Sequence, residues 1–467
     1  RAITCSRDAD PGGRDRHPPA GSAWSGRLAL AKVAWETLPP EMRGAPNQES
    51  RRPRGVVRRL NAFVAFVLVG SIYGVALLWS RLRGRPRPIA SGRARRIAVV
   101  GTFYNSNWFI SHATPLARSG IEELLVVTDQ PQPHVDGVRV VCPSAWSVAV
   151  FGRTLAKLAC LLLTGHRYRP DLYMGYHIVP CAVMALVAGR AFGRPASYQM
   201  TGGPIEVIGG GIDAENPVLG RLGPSGRRLE GLALRVVREF DQVIVRGQGA
   251  LRFLVDRGID PSAVAIIPGS VDPRAIPLAG ARPHDLVFLG RLAELKQPLQ
   301  FVEILAGVTR ALPTARGLVI GDGPLQPAMR ERAAELGVAD RLEFAGKTDQ
   351  VLALLAASRV FVLTSRTEGL SIAMAEAMMA GVVPVVANVG DLSDLVRDGA
   401  NGYLVEPNDV ETYVRRVRAV LEEPGLWGRL SDEAVASARG HVGLDHVAGR
   451  WRDRIAAVLR AERPSGA

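Results

Sequence analysis

Two carboxylates and two cations in the second half of the chain have the types and spacing to hold a sugar phosphate. Glu368 and Glu376 both lie in the run RTEGLSIAMAEAMMAG. Glu368 closes a polar loop at 364–368, and residues 369–379 read as a short helix stopped at Gly381. A carboxylate beside a helix start can accept hydrogen bonds from sugar hydroxyls. The free N–H groups of Gly369, Leu370 and Ser371 can hold a phosphate oxygen, and Glu376, two turns on, can reach a ribose. The plain alternative is a dipole-favoured N-terminal charge and a solvated helix residue. Upstream, Gly290-Arg291-Leu292 and then Lys296 put two cations at a strand end. Arg grips a diphosphate with paired hydrogen bonds and Lys adds a point charge; taken alone, the two cations are better accounted for by a surface salt bridge. The turn Gly321-Asp322-Gly323-Pro324 lets the backbone approach a ligand, as many βα turns do.

The first half offers a different set. His177 follows the apolar stretch DLYMGY, where it is either a site histidine or a structural one. Tyr104, Asn105, Asn107 and Trp108 in GTFYNSNW suit a sugar face, or shape a turn. Residues 199–211, QMTGGPIEVIGGG, form a glycine-rich stretch with Gly202, Gly203 and one carboxylate, Glu206. It reads as a mobile acceptor loop or as a flexible connection.

Positioning these residues requires a parallel sheet. Apolar runs at 97–101, 124–128, 138–142, 171–176, 196–199, 243–245 and 264–267 read as strands separated by helical stretches at 153–163, 179–191 and 226–240. A second series follows at 286–289, 315–320, 342–344, 360–363 and 383–387, with helices at 410–421 and within 434–459. Open parallel sheets bind ligands at the carboxyl ends of their strands, where all the residues above fall. Residues 97–272 and 284–425 are therefore two doubly wound domains joined by a proline-rich hinge at 273–283. Residues 426–467 are C-terminal helices expected to pack back across the domains.

The chain has 467 residues and a net charge of +14. That charge is not a nucleic-acid signal. Residues 1–96 hold 19 Arg and Lys against 6 Asp and Glu, which leaves +1 for the remainder, and no basic helix carries interleaved aromatics. Residues 1–59 read as a disordered basic segment; the chain opens on Arg1, and this stretch is set aside from fold reasoning. Residues 60–80 carry no charge over 21 positions. They read as a transmembrane or membrane-anchor helix, or as one lying in the interface, with 81–96 as a linker. Cys5, Cys142, Cys160 and Cys181 make no CxxC pair, no histidine cluster has metal spacing, and the cysteines suit a reducing compartment.

The ordered series Arg291, Lys296, glycine turn, Glu368, Glu376 resembles the retaining nucleotide-sugar glycosyltransferases of the GT-B fold, glycosyltransferase family 4, over about residues 97–460. EGLSIAMAE is similar to the family's Glu, seven residues, Glu signature; GRLAELK, GDGP and IPGSVD are similar to neighbouring motifs. The resemblance implies two Rossmann-like domains facing a cleft, with the nucleotide sugar on the C-terminal one. Glu368 would bind donor-sugar hydroxyls and Glu376 the ribose. Arg291, Lys296 and the 369–371 amides would hold the diphosphate beside Gly290, Gly321, Asp322 and Gly323. His177 would face the donor sugar, and Tyr104, Asn105, Gly202, Gly203 and Glu206 would lie on the acceptor side. It implies retention of anomeric configuration, no metal or other cofactor, and no nucleic-acid partner. Two departures stand out: Asn388-Val389-Gly390-Asp391 replaces a common Gly-Gly pair, and Gly101-Thr102-Phe103 replaces a glycine-rich turn.

The expectation is a membrane-associated glycosyltransferase whose catalytic domains are cytoplasmic and whose acceptor is lipid-linked or a polysaccharide. A sugar-nucleotide epimerase, a phosphorylase or a non-catalytic nucleotide-sugar-binding protein on the same fold are the alternatives.

Overall fold

The computed structural model describes residues 55–84, 86, 94–103, 106–211, 227–277 and 280–460. Residues 1–54 of the basic segment, half of the 81–96 linker, and Tyr104 and Asn105 lie outside the described residues.

The first domain holds a seven-stranded parallel sheet in the order β3-β2-β1-β4-β5-β6-β7. Its strands are β1 (Arg96–Val100), β2 (Glu123–Val127), β3 (Val138–Val141), β4 (Leu172–Tyr176), β5 (Ala196–Gln199), β6 (Gln242–Val245) and β7 (Val264–Ile266). The second holds a six-stranded parallel sheet, β10-β9-β8-β11-β12-β13. Here β8 is His284–Leu289, β9 Gly317–Ile320, β10 Leu342–Gly346, β11 Ser358–Leu363, β12 Val383–Ala387 and β13 Tyr403–Val405. The strands are apolar runs rather than alternating ones because helices cover both faces; all five residues of β4 and of β12 are buried. Chain order reverses between β1 and β4 in one sheet and between β8 and β11 in the other. Those are the crevices where such sheets take ligands.

The helices are α1 (Gly55–Arg83), α2 (Ser106–Ala117), α3 (Ala145–Tyr168), α4 (Val183–Ala191), α5 (Arg227–Arg238) and α6 (Gln248–Val255) around the first sheet. Around the second are α7 (Pro298–Thr309), α8 (Gln326–Glu335), α9 (Val351–Ala356), α10 (Ile372–Met379), α11 (Val410–Glu422) and α12 (Leu426–Val442). The last, α13 (Leu444–Arg460), returns to the first domain. There Val447, Trp451, Ile455 and Leu459 share a core with Ile97, Phe109 and Leu116, and Arg454 donates to Gln242 and to the Ser262 carbonyl.

Three elements differ from the sequence expectations. The edge strand β13 is three residues long, too short to show a period. Helix α3 starts eight residues earlier than expected and kinks at Gly152. Helix α1 is not a free anchor over 60–80: it spans Gly55–Arg83 and its second half is sewn into the first domain. Val69, Tyr73 and Ala76 join the core formed with Leu186, Val207 and Leu229. The Tyr73 hydroxyl donates to Gly210 O (2.9 Å), Trp79 Nε1 to Val187 O (3.1 Å) and Ser80 Oγ to Glu239 (2.6 Å). Positions 69, 73, 76 and 80 recur at helical spacing and face inward. Val67, Leu68, Val75, Leu78 and Leu82 face outward and are exposed. Both faces are apolar, so the stretch reads as uniformly hydrophobic.

Candidate active site

In the C-terminal domain the loops after β8 and β11 are laced together. Thr364 Oγ1 donates to the carbonyls of Lys296 (3.1 Å) and Gln297 (3.0 Å), and Arg366 N donates to Leu295 O (3.0 Å). This brings Lys296, at the end of a 3₁₀ turn (Glu294–Lys296), onto Glu368: Nζ lies 2.5 Å from Oε1. The Ser365 hydroxyl donates to the same oxygen at 2.6 Å. Glu368 and Lys296 are mostly enclosed, with side chains 9% and 20% exposed. Arg291 lies on the exposed side of the same loop. The glycine turn supports that loop from below. A Cβ on Gly321 would meet Gly290 O at 2.1 Å, and one on Gly323 would meet Leu292 O at 2.5 Å. Leu292 N donates to Asp322 O at 2.8 Å. The turn residues thus hold Gly290-Arg291-Leu292 by close backbone contact that a side chain would block.

Helix α10 begins at Ile372, not at Gly369. Ser371 is its N-cap, its Oγ accepting from Met374 N, as short polar residues do at this position. Gly369 and Leu370 belong to the preceding turn, and Leu370 is buried in the core. Glu376 is not a solvated helix residue. It is 8% exposed and has no hydrogen-bond partner among the described residues. Burial pushes its carboxyl up to about 7.

The N-terminal side is built around β4 and β5. His177, in a left-handed backbone conformation, ends β4. Its Nδ1 lies 3.0 Å from Glu206 Oε1, and its ring stacks in parallel with Trp108, centroids 6.3 Å apart. Residues 199–211 do not form an open acceptor loop. Gly203–Glu206 and Ile208–Gly210 are two 3₁₀ turns that fold Glu206 inward until 1% of it is exposed. There it accepts from the Gly202 N–H, the Tyr198 hydroxyl (2.8 Å) and the Thr201 hydroxyl (3.3 Å). Burial raises the Glu206 carboxyl, but the His177 ring, the Gly202 N–H and the Tyr198 hydroxyl outweigh it, and the group stays below the usual carboxylate value. Gly202 and Gly203 therefore shape a cage for Glu206. His112, behind Trp108, is buried; that burial and then the Arg246 charge hold its imidazole well below the ordinary value. Asn107 is half-buried in α2.

The two sides meet. A Cβ on Gly369 would lie 3.1 Å from Thr201 O, and one on Gly269 would strike Ile372, at 2.3 Å, and His112, at 3.1 Å. The departure at 388–391 also has a structural part. A Cβ on Gly390 would lie 1.8 Å from Glu368 O, so only glycine backs the Glu368 turn there. Asp391 Oδ1 accepts from Gly249 N (2.7 Å) and Asp394 Oδ2 from Gln248 N (2.6 Å), so the C-terminal domain caps α6 of the other. Sequence reasoning missed this clasp, and also the buried pair Lys157–Asp129 (2.7 Å), which steadies Thr102 at the end of β1. Neither has a local signature, because the partners are brought together only by the fold.

Residues 274–438 match the family model of the glycosyl transferases group 1. The chain is 33% identical over 257 residues to a D-inositol 3-phosphate glycosyltransferase of Acidothermus cellulolyticus, covering 50% of this chain and 57% of the relative. It is 28% identical over 184 residues to the Escherichia coli UDP-Gal:alpha-D-GlcNAc-diphosphoundecaprenol alpha-1,3-galactosyltransferase, covering 36% and 48%. The chain spans about half the length of the curated relatives it matches. Among solved structures, Anabaena HepE in complex with UDP and glucose superposes with a TM-score of 0.63 at 18% identity, covering 79% of this chain and 99% of that one. The apo lipopolysaccharide outer core galactosyltransferase WaaB gives 0.55 at 14%, covering 77% and 98%. The fold is GT-B, and the match to the group 1 glycosyl transferases lies in its C-terminal domain.

Proposed function

We propose that the protein is a retaining glycosyltransferase of family 4 that moves a hexose from a nucleoside diphosphate to a lipid-linked or polysaccharide acceptor, without a metal, at the cytoplasmic face of a membrane. The observation that carries the reading is the convergence of Lys296, Glu368 and Ser365 at the β8/β11 switch point, with the half-buried His177 across the gap. Negative charge builds on the departing diphosphate. Arg291, Lys296 and the turn amides stabilise that charge more in the transition state than before it. Lys296 must exchange Glu368 for the diphosphate, which frees the carboxylate for sugar hydroxyls. Glu376, buried and unpartnered, gains a partner when a ribose hydroxyl meets it.

Membrane attachment is part of this reading. The outer face of α1 is apolar and ends in Arg81 and Arg83. On α3, Trp146, Phe151, Leu155 and Leu163 are exposed as well. The docked stretch starts at Val69, and Gly55–Leu68 spans only about 21 Å as a helix, less than the ~30 Å hydrocarbon core. An in-plane helix in one leaflet suits this geometry better than a crossing. The Escherichia coli relative acts on a lipid diphosphate, which supports a lipid-linked acceptor.

The test is incubation with labelled nucleotide sugars and membrane lipids, with identification of the released nucleotide and the anomer formed. Transfer with retention is expected. Folded protein that neither transfers nor hydrolyses any common donor would overturn the reading; phosphate-dependent or acceptor-free products would replace it with a phosphorylase or an epimerase.

A further inference from the structure

We propose that the first turns of α3, residues 145–155, are an insertion element for an anionic lipid leaflet. They form a second point of attachment besides α1 and hold the mouth of the gap between the domains against the lipid surface. The surface itself stands on geometry and charge; that the gap then meets a lipid-borne acceptor rests on the membrane-attached glycosyltransferase reading.

Lys157 fixes where these turns stand. Its Nζ pairs with Asp129 (2.7 Å) and donates to the Thr102 hydroxyl (2.7 Å), and those residues follow the ends of β2 and β1. Helix α3 therefore passes the carboxyl edge of the seven-stranded sheet near Lys157. At 1.5 Å per residue, the turns before it rise up to ~15 Å beyond that edge, on the side where His177 ends β4. None of residues 145–155 is buried, and Ala156 is the first residue of α3 that is. The turns are still built as helix: the Ser144 hydroxyl caps them, accepting from Ser147 N at 3.2 Å. Gly152 bends them, with a φ of 74° that a side chain would strain. Trp146, Val150, Phe151 and Leu155 are each more than half exposed, and the Trp146 and Phe151 rings meet edge to face, centroids 5.9 Å apart. A contiguous apolar surface of this kind marks a partner of low polarity.

Layer position and charge select a leaflet as that partner. The connections from β3 to β4 and from β4 to β5 run the same way across the sheet, so right-handed crossovers put α3 and α4 on one face. Cys160 and Leu161 of α3 share a core with Met184 and Ala188 of α4. Helix α1 packs on the same α4 through Val183 and Leu186. The outer faces of α1 and α3 thus belong to one side of the domain, while α2 and α13 cover the other. Helices α1, α3 and α4 contain no Asp or Glu, and Arg81, Arg83, Arg153 and Arg167 are exposed on them. An apolar surface bordered by cations and free of carboxylates complements anionic headgroups. A second copy of the chain would instead set like charges against each other. Two insertion points also give a firmer hold than one. With one of them at the carboxyl edge, the gap opens at lipid level.

Amide hydrogen exchange of the whole chain, with and without phosphatidylglycerol vesicles, reads this surface directly. Exchange over 145–155 is expected to slow on the vesicles, and exchange in α13, on the opposite face, to stay as it was. The combined variant Trp146→Gln, Phe151→Gln, Leu155→Gln alters no buried residue and should bind these vesicles at least about tenfold more weakly. Neutral phosphatidylcholine vesicles should bind the wild type at least about fivefold more weakly than anionic ones. Turnover of an acceptor held in vesicles should fall with the variant's binding, and turnover of the same acceptor in detergent should not. Unchanged exchange over 145–155, unchanged vesicle binding by the variant, or an equal fall of turnover in detergent overturns the proposal. Slowing that appears without vesicles and grows with protein concentration gives the surface to a second copy and overturns it too. If the variant does not fold, exchange in the wild type decides alone. If the wild type turns over no donor, the function fails while the lipid surface is still decided.

Discussion

Each domain brings an enclosed carboxylate to the gap, Glu368 and Glu206, and the two are held differently. Glu368 pairs with the Lys296 ammonium and with Ser365 three residues away. Glu206 pairs with His177, 29 residues away, and takes its remaining hydrogen bonds from neutral donors. The C-terminal carboxylate thus meets a lysine from a neighbouring loop, whereas the N-terminal one is enclosed by hydrogen bonds within its own domain.

The largest expected effect comes from removing the permanent charge. Lys296→Ala leaves Glu368 enclosed with Ser365 as its remaining recorded partner and takes a cation from the leaving diphosphate. Turnover should fall about 100- to 1,000-fold, near 3–4 kcal/mol of barrier. Lys296→Arg should lose less, since charge is kept and only its placement changes. Initial rates with the best donor check this; a loss under about tenfold for the alanine variant would break the division of labour between the domains.

Glu376 sharpens the contrast, being the carboxylate with no cation. Its folded value near 7 lies above the ~4.3 of an unfolded glutamate, so the folded state holds a proton that the unfolded state releases between those values. The stability that Glu376 contributes is therefore greatest below about pH 4 and falls as pH rises to 7, by roughly 3 kcal/mol in full. Glu376→Gln should gain about that much at pH 8, gain nothing near pH 4, and lose this component of the pH dependence. Denaturant titrations of both proteins at pH 5 and pH 8 measure it. A ribose that meets the carboxylate relieves the same penalty, so nucleotide affinity should rise between pH 6 and 8 in the wild type and not in Glu376→Gln.

The two halves were unequally legible for the same reason. Lys296 and Glu368 follow adjacent strands of one sheet, and Glu368 with Glu376 sits on a single loop and helix, so spacing alone brings them to one strand-end cluster; Ser365, which the sequence did not single out, joins them through its bond to Glu368. The chemistry of 199–211 cannot be read that way. A carboxylate in a glycine-rich run looks mobile until two 3₁₀ turns bury it against Tyr198, and nothing local announces those turns. The α1 stretch is the reverse case: its composition was plain, but an apolar outer face hid the period of the inner one. Ser371 shows how a cap moves a boundary, since its hydroxyl starts the helix after the glycine rather than at it. Asp391 looked like a departure from a family pattern, and only the other domain gives it a partner.

That clasp carries the next effect in size. Asp391→Ala removes the acceptor for Gly249 N at the start of α6, and losing a capping side chain costs about 1 kcal/mol. Faster amide exchange at Gly249 is expected, with the seven-stranded sheet unchanged. Scattering in solution should show a larger radius if the contact also holds the domains closed. Unchanged exchange at Gly249 would mean that Asp394, bonded to Gln248 N, suffices, and that the two domains are held by α13 and the 271–444 backbone pairing rather than by this cap.

The smallest effect on the folded protein belongs to the outer face of α1, and it separates that face from the inner one. Leu68, Val75 and Leu78 are 51%, 65% and 60% exposed, so changing all three to Gln touches no core and keeps good helix formers. Stability should move by no more than about 0.5 kcal/mol per site. Tyr73→Ala, on the inner face, should cost about 3–5 kcal/mol, as large buried aromatics do. Flotation with anionic vesicles reads the other property: the triple Gln variant should lose most of its binding, since each apolar side chain withdrawn from lipid forfeits on the order of 1.5 kcal/mol or more. Undiminished flotation would move the attachment to Trp146, Phe151 and their neighbours on α3. Deleting residues 1–88 cannot decide the matter, because it also strips Val69, Tyr73 and Ala76 from the core of the N-terminal domain.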